Sequence, residues 1–330
     1  MIVWGAMKSF LFFVVLLVAG PVTADSKMSP GRFFLEGDGQ LTLVNKKTGQ
    51  QATIRYRQPD GNYAATGVKE INRLFGVSAG STEGIALRLV SLLDYLQDHF
   101  TQSCRGEPMC SPGQTHGSAP TIQIVSGYRS PTYNENLRKK GKLAARTSLH
   151  IEGMAADIDM AGVSGETLWH YIRDLNCCGA GFYHGKGIHV DTGPVRFWDE
   201  TSTKVETDIS SHNKMIMVRT DQDIYRPGET VILDLSRITD YPIGIKPVLK
   251  IVPLGLPSPL SGEESGVRAS GHCQILPDRP HIKNLKWPLP EGLPEGKRLQ
   301  VELELCDKFF PEMPDKITSN EFVVKTIDYH

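Results

Sequence analysis

Apolar positions recur with two different periods along this chain, and the change of period divides it. FFLEGDGQLTLVNKKTGQQATIRYR (33–57) alternates and is broken by Gly-Asp-Gly and Lys-Thr-Gly, which predicts two or three short strands joined as hairpins. Residues 66–76 predict a short helix. In 84–100 the positions Ile85, Leu89, Leu92, Leu93, Leu96 and Phe100 recur at helical spacing, with Arg88, Asp94 and Gln97 on the other face. TIQIVSG (121–127) then predicts a strand, and NENLRKKG (134–141) a helix stopped by glycine. MAADID (154–159) predicts a strand of small residues. Residues 164–176 predict a helix with Leu168, Tyr171, Ile172 and Leu175 inward. AGFY (180–183) and GIHVDTG (187–193) predict two strands joined at His184-Gly185-Lys186-Gly187.

Beyond residue 200 the pattern changes. The polar stretch 200–214 predicts a linker. MIMVRT, ETVILDL, KPVLKIVPL, LQVELELC and NEFVVKTI follow as strand-like runs between Pro/Gly turns, a pattern that fits an immunoglobulin-like β-sandwich. The expected division is a signal peptide over 1–24, an α+β domain over 25–200, a linker over 201–213 and a β-sandwich over 214–330.

Composition narrows the function classes. The chain has 330 residues and a formal charge of −1, with no basic stripe, so nucleic acid is not an expected partner. Lys8, the apolar run 10–19 and Val22-Thr23-Ala24 have the form of a cleaved export signal, and the run is shorter than the roughly 20 residues a spanning helix needs. The expectation is a periplasmic protein, not inserted in the membrane after cleavage. Export permits disulfides. Of the six cysteines, Cys104 and Cys110 flank a short loop, Cys273 and Cys306 are expected to pair, and the adjacent Cys177 and Cys178 are expected to be free and buried.

The chemistry centres on SLHIEGMAADID (148–159). His150 and Asp157 stand seven residues apart in a segment otherwise small and apolar. In GIHVDTG, His189 and Asp191 are two apart on one strand and so face one side. Two histidines and a carboxylate form a tripod for Zn²⁺ that leaves a position open for water. The expected ligands are His150, Asp157 and His189.

Ser148-x-His150-x-x-Gly153-x-Ala155-x-Asp157 resembles the S-x-H-x-x-G-x-A-x-D signature of the zinc D-Ala-D-Ala peptidases, the group that also holds lysostaphin and the Hedgehog signalling domain. With SGYRSPTYNENLR (126–138) and GFYHGKGIHVDTGPVRFW (181–198), it resembles the murein endopeptidase K branch of that group. The resemblance covers about residues 33–198 and implies an antiparallel sheet with flanking helices around a zinc site. It implies that His150, Asp157 and His189 bind zinc, that Arg129 polarises the scissile carbonyl or binds substrate, and that Ser148 contacts substrate or orients a ligand. Tyr133 and Asn134 match a P-x-Y-N element expected mainly to support the structure, with Tyr133 also expected among the substrate-binding residues. Where a related branch carries a glutamate three residues before the last ligand, this chain has Lys186. The general base is therefore open between His184 and Asp191, and Asp191 has the alternative role of orienting His189.

The implied activity is zinc-dependent hydrolysis of peptide cross-links in peptidoglycan, with stem peptides as substrate. The alternatives are a D-Ala-D-Ala carboxypeptidase, and a non-catalytic zinc-containing module that binds cell wall. The C-terminal third is outside the resemblance and is expected to bind a protein or glycan partner. Glu152, between two motif residues, is expected to face solvent, and Trp198 to pack the end of the domain.

Overall fold

The computed structural model describes residues 31–81, 83–103, 120–140, 146–202, 214–253 and 272–326. The expected signal segment, the Cys104–Cys110 loop and the linker over 203–213 lie outside the described residues.

The N-terminal region is built on a seven-stranded sheet. Its strands are β1 (Gln40–Asn45), β2 (Gln51–Arg55), β3 (Ile122–Ser126), β4 (Ala155–Met160), β5 (Gly179–Phe182), β6 (Ile188–Asp191) and β7 (Arg196–Asp199), in the order β2-β1-β3-β4-β6-β5-β7. The sheet is mixed, which corrects the antiparallel expectation: β1–β3 and β5–β7 are parallel pairs. The physical reason is connectivity. Two helices, α1 (Ala65–Leu74) and α2 (Leu87–Ser103), lie between β2 and β3, and a crossover of that length returns the chain in the parallel sense beside β1. β7, which the pattern did not single out, adds the last edge strand.

Helix α3 (Pro131–Lys139) begins three residues earlier than its pattern predicts. Ser130 caps it, accepting from the Tyr133 amide, and Pro131 opens the first turn where no donor is needed. Helix α4 (Gly165–Leu175) is capped by Ser164 and buries Leu168 and Ile172. Leu89, Leu93, Leu96, Ile124, Ile158, Ile172, Ile188 and Val190 belong to one core.

Helix α2 corrects a second expectation. Asp94 and Gln97 are buried rather than exposed. The β1–β2 end of the sheet covers that side of the helix and brings backbone groups that must be satisfied. Gln97 accepts from the Thr42 amide at 2.8 Å and donates to the carbonyls of Thr42 and Pro120 at 3.0 and 2.7 Å. Asp94 accepts from Gly39 N and Tyr56 OH, both at 2.8 Å. Burial first, with the Asp98 and Asp38 charges assisting, pushes Asp94 up to about 7.

The C-terminal region is largely β. One sheet joins β8 (Met217–Thr220), β10 (Thr230–Ser236) and β13 (Leu285–Pro288). The other joins β9 (Ile224–Tyr225), β11 (Ile243–Pro253), β12 (Gln274–Leu276), β14 (Arg298–Asp307) and β16 (Phe322–Val324), with β15 (Lys316–Thr318) on β14. Val218, Leu233 and Leu235 from the first sheet share a core with Ile245, Val301 and Leu303 from the second. Cys273 and Cys306 form a disulfide, as expected. Cys177 and Cys178 also form one, which corrects the expectation of two free thiols. Among the described residues no helix is long and apolar enough to cross a membrane.

The two regions are tied together by charge and by packing. Arg32 pairs with both oxygens of Glu229 at 2.8 and 2.7 Å, and Arg88 pairs with Asp223. Leu149, Met154 and Ala155 pack with Met217 of β8.

Candidate metal centre

The site begins with strand register. Asp157 on β4 pairs with His189 on β6, and His189 with Gly181 on β5. Gly181 pairs in turn with Trp198 on β7. Residues paired across neighbouring strands share a face, so Asp157, His189 and Trp198 lie on one side of the sheet. The lack of a side chain at Gly181 lets the indole lie across β5, because a Cβ there would sit 2.3 Å from the ring. The Trp198 ring centroid is 5.0 Å from that of His189.

His150 arrives from the loop before β4. That loop folds tightly at Gly153, whose φ is +66° and where a Cβ would come 2.0 Å from the Gly84 carbonyl oxygen. Only glycine meets both conditions. The turn places His150 beside the strand pair, with its ring centroid 5.1 Å from that of His189.

Hydrogen bonds then settle which atoms are available. His150 Nδ1 is 2.8 Å from the Gly127 carbonyl, which makes it the donor and leaves Nε2 free of a proton. His150 Nε2 lies 3.3 Å from Asp157 Oδ1. His189 Nε2 lies 2.9 Å from Asp191 Oδ2, while its Nδ1 is 3.0 Å from Asp157 Oδ1. One ligating atom from each of His150, Asp157 and His189 thus falls within 4.8 Å of the others, and all three residues are buried.

Electrostatics points the same way. Burial opposes a charge on His150 and holds its pKa below the usual histidine value. Burial also opposes a charge on His189, but the hydrogen bonds to Asp157 and Asp191 outweigh it and raise that pKa. Asp157 is held well below the ordinary carboxylate range: the nearby His150 and His189 overcome its burial. Two ionised carboxylates, one neutral-leaning imidazole at His150 and one at His189 that favours a positive charge show a centre that draws in positive charge. These atoms fit a divalent cation of the kind that takes nitrogen and oxygen ligands.

The other candidate residues are placed as follows. Asp191 is wholly buried and has both oxygens engaged: Oδ2 by His189 and by Arg196 at 2.6 Å, Oδ1 by Arg196 at 3.0 Å and by Gly193 N at 2.7 Å. Arg129 pairs with Asp157 Oδ2 at 2.7 Å and donates to Ser126 Oγ at 3.1 Å. Ser148 is buried, its Oγ 3.4 Å from the His150 amide. Tyr133 is exposed on α3. His184 is not brought to the triad. Its ring lies tilted against Phe182, with centroids 4.3 Å apart, and its Nε2 lies 2.8 Å from Asp199 Oδ1. Phe182 pairs with Asp199 and with Ile188, in the row that alternates with His189 and faces α4.

Arg196 and Tyr183 were given no role by the sequence, and Trp198 only that of packing the end of the domain. Arg196 holds Asp191, Trp198 flanks His189, and Tyr183 has its ring centroid 6.3 Å from that of His189. Burial, then the Asp157 charge, raises the Tyr183 hydroxyl well above the usual value, so it keeps its proton. The signal for Arg196 and Trp198 was present in RFWD, where alternate residues continue the row begun by His189 and Asp191.

Glu152 reverses its expectation. It is buried on the far side of the His150 loop and ion-paired with the C-terminal region. Its Oε2 lies 2.7 Å from Arg279 and 2.7 Å from Lys283. Arg279 also pairs with Glu83 at 2.8 Å and donates to the Ile151 carbonyl at 3.3 Å. Burial works against ionisation of Glu152, and the Lys283 and Arg279 charges overcome it, so its pKa lies below the ordinary value.

Comparison with known proteins agrees with this geometry. Residues 36–198 match the family model described as peptidoglycan L,D-endopeptidase MepK. The peptidoglycan L,D-endopeptidase MepK of Escherichia coli (strain K12) is 32% identical over 83 residues, which are 25% of this chain and 46% of that protein. The probable peptidoglycan L,D-endopeptidase MepK of Haemophilus influenzae is 40% identical over 78 residues, 23% of this chain and 42% of that protein. The chain thus spans less than half the length of these curated relatives. No solved structure matches at a significant level.

Proposed function

We propose, from the premise that the chain belongs over residues 36–198 to the peptidoglycan L,D-endopeptidase family, that it is an exported zinc peptidase hydrolysing peptide cross-links of peptidoglycan. The observation that carries this reading is the convergence of three available donor atoms, from His150, Asp157 and His189, within 4.8 Å on a buried face. The family match favours the L,D bond between diaminopimelate residues over the D-Ala–diaminopimelate bond as the one cut.

Zinc held by His150, Asp157 and His189 would act as a Lewis acid and bring the pKa of a water down toward roughly 7. The chain's own groups prepare that chemistry. The Gly127 carbonyl fixes the His150 tautomer, and Asp191 holds His189 with Nδ1 turned toward the other ligands. Arg196 and Gly193 keep Asp191 ionised and aimed. With both oxygens taken, Asp191 acts as the orienting carboxylate in this reading rather than as the base. Arg129, anchored on Asp157, supplies a guanidinium for a substrate carbonyl or carboxylate. Tyr183 offers a hydroxyl that stays protonated near neutral pH. Ser148 supports the His150 loop, and Tyr133, exposed on α3, is available to the peptide. Residues 214–330 are read as a β-sandwich domain that braces the His150 loop, with a glycan or protein as a further partner.

Mass spectrometry of a muropeptide digest tests the reading. Purified protein with and without zinc meets defined cross-linked dimers and single pentapeptide stems. Zinc-dependent conversion of L,D-linked dimers to monomers is the expected result. Loss of terminal D-alanine alone would make the enzyme a carboxypeptidase, and zinc binding without cleavage would leave a cell-wall-binding module.

A further inference from the structure

A cleft of about 580 Å³ opens where the two regions meet, between residues 33–35, the end of α4, the loop 192–195 and strands of the C-terminal region. Its walls are mixed. Phe34 and Val195 present apolar surface, and Arg88, Arg219 and Arg298 present guanidinium groups. Arg88 is neutralised by Asp223 and Arg298 by Glu321. Arg219 is different: among the described residues its guanidinium has no hydrogen-bond or ion-pair partner.

We propose that this cleft binds a carboxylate-bearing peptide and that Arg219 takes the carboxylate. Arg219 stands on β8 opposite Asp234, on the face that turns toward the N-terminal region, since Met217 in the same row packs with Leu149 and Met154. Asp234 is itself turned to Lys283 at 2.7 Å and leaves Arg219 without a counter-ion. Burial, then the repulsion of Arg88, draws Arg219 down to about 9, which marks a cation held at a cost. A planar guanidinium so placed is satisfied best by a planar anion that accepts two parallel hydrogen bonds. The apolar walls on either side suit the aliphatic part of a short peptide.

The loop 192–195 adds a link to the metal centre. It leaves directly from Asp191, and Gly193 N donates to Asp191 Oδ1. An occupant of the cleft therefore rests against the loop whose backbone holds the carboxylate behind His189. The choice of a peptidoglycan stem as the peptide rests on the function proposed above; the anion site itself rests on Arg219.

Isothermal titration calorimetry on the full chain, stripped of metal so that nothing is cleaved, tests the proposal. The probes are the stem tripeptide L-Ala-γ-D-Glu-diaminopimelate, its fully amidated form and inorganic phosphate. The free acid is expected to bind, the amidated form and phosphate at least about tenfold more weakly, and Arg219→Gln to weaken the free acid by about tenfold or more. Val195→Glu, an exposed change that puts a negative charge on the rim, is expected to do the same and stands in if Arg219→Gln does not fold. Undiminished binding of the free acid by both variants, binding of the amide as tight as that of the acid, or phosphate binding as tightly as the peptide would overturn the assignment. Binding through Arg219 by a protein that cleaves no muropeptide would keep the cleft and remove the peptidase. Cleavage with no Arg219-dependent binding would do the opposite.

Discussion

Arg279, on the C-terminal side of the molecule, forms an ion pair with Glu152, two residues beyond His150 of the buried His-Asp-His triad, at 2.7 Å. The loop that carries His150 is thereby held from behind by a region outside the family match, and Lys283 and Glu83 complete the network. Removing Arg279 leaves the buried Glu152 carboxylate with Lys283 but without the guanidinium that holds both of its oxygens. Arg279→Met should destabilise the protein by about 3 kcal/mol in urea unfolding. In the double variant Glu152→Gln/Arg279→Met the two losses should overlap. Simple additivity of the single effects would show that the pair is not coupled.

The triad predicts a metal stoichiometry. His150→Ala should abolish bound zinc, measured by elemental analysis after dialysis, while circular dichroism retains the β signal of residues 214–330. A full equivalent of zinc in that variant would remove His150 from the ligand set.

Asp191 makes a finer prediction. Asp191→Asn keeps the shape but loses the charge that sets the His189 ring. Zinc affinity in a competition titration should fall by 10- to 100-fold. His184→Ala, by contrast, changes a residue on the opposite face of the sheet and should leave hydrolysis within about twofold. A loss of hydrolysis of about 100-fold or more in His184→Ala would return the histidine to the catalytic machinery.

Asp94 carries a pH dependence of its own. Its pKa is near 7 in the folded protein and near 3.8 when unfolded, so between those values the native state holds a proton that the unfolded chain does not. Its contribution is complete below about pH 4 and is lost as pH rises through 7, a loss on the order of 4 kcal/mol. Asp94→Asn should flatten the fall in melting temperature between pH 5 and pH 7.5 relative to the unaltered chain. Identical profiles would mean that Asp94 ionises normally.

The legible parts of this molecule were the local ones. His150, Asp157 and His189 stand in short motifs whose geometry is set by a turn and a strand, so their grouping follows from spacing and resemblance. The strands of the C-terminal region announce themselves by alternation. What the pattern concealed depends on distant segments. Glu152 looks like a surface charge until Arg279, 127 positions away, closes on it. Asp94 and Gln97 occupy the polar face of a helix, and only the Gly39 and Thr42 amides explain why that face is buried. The adjacent Cys177 and Cys178 gave no hint of their pairing. The parallel pairs depend on which side of the sheet the chain returns to, after two helices at β3 and after the short loop 192–195 at β7, which local periodicity does not record.

Gly153 has a consequence for how the motif itself is read. The residue touches no ligand and performs no chemistry, yet a side chain there would meet the Gly84 carbonyl at 2.0 Å. The spacing of S-x-H-x-x-G-x-A-x-D therefore describes a place where two lengths of main chain cross, as well as a set of reactive groups. A substitution scan would score Gly153 beside His150, Asp157 and His189, and loss of activity at that position would report on a crossing rather than on catalysis.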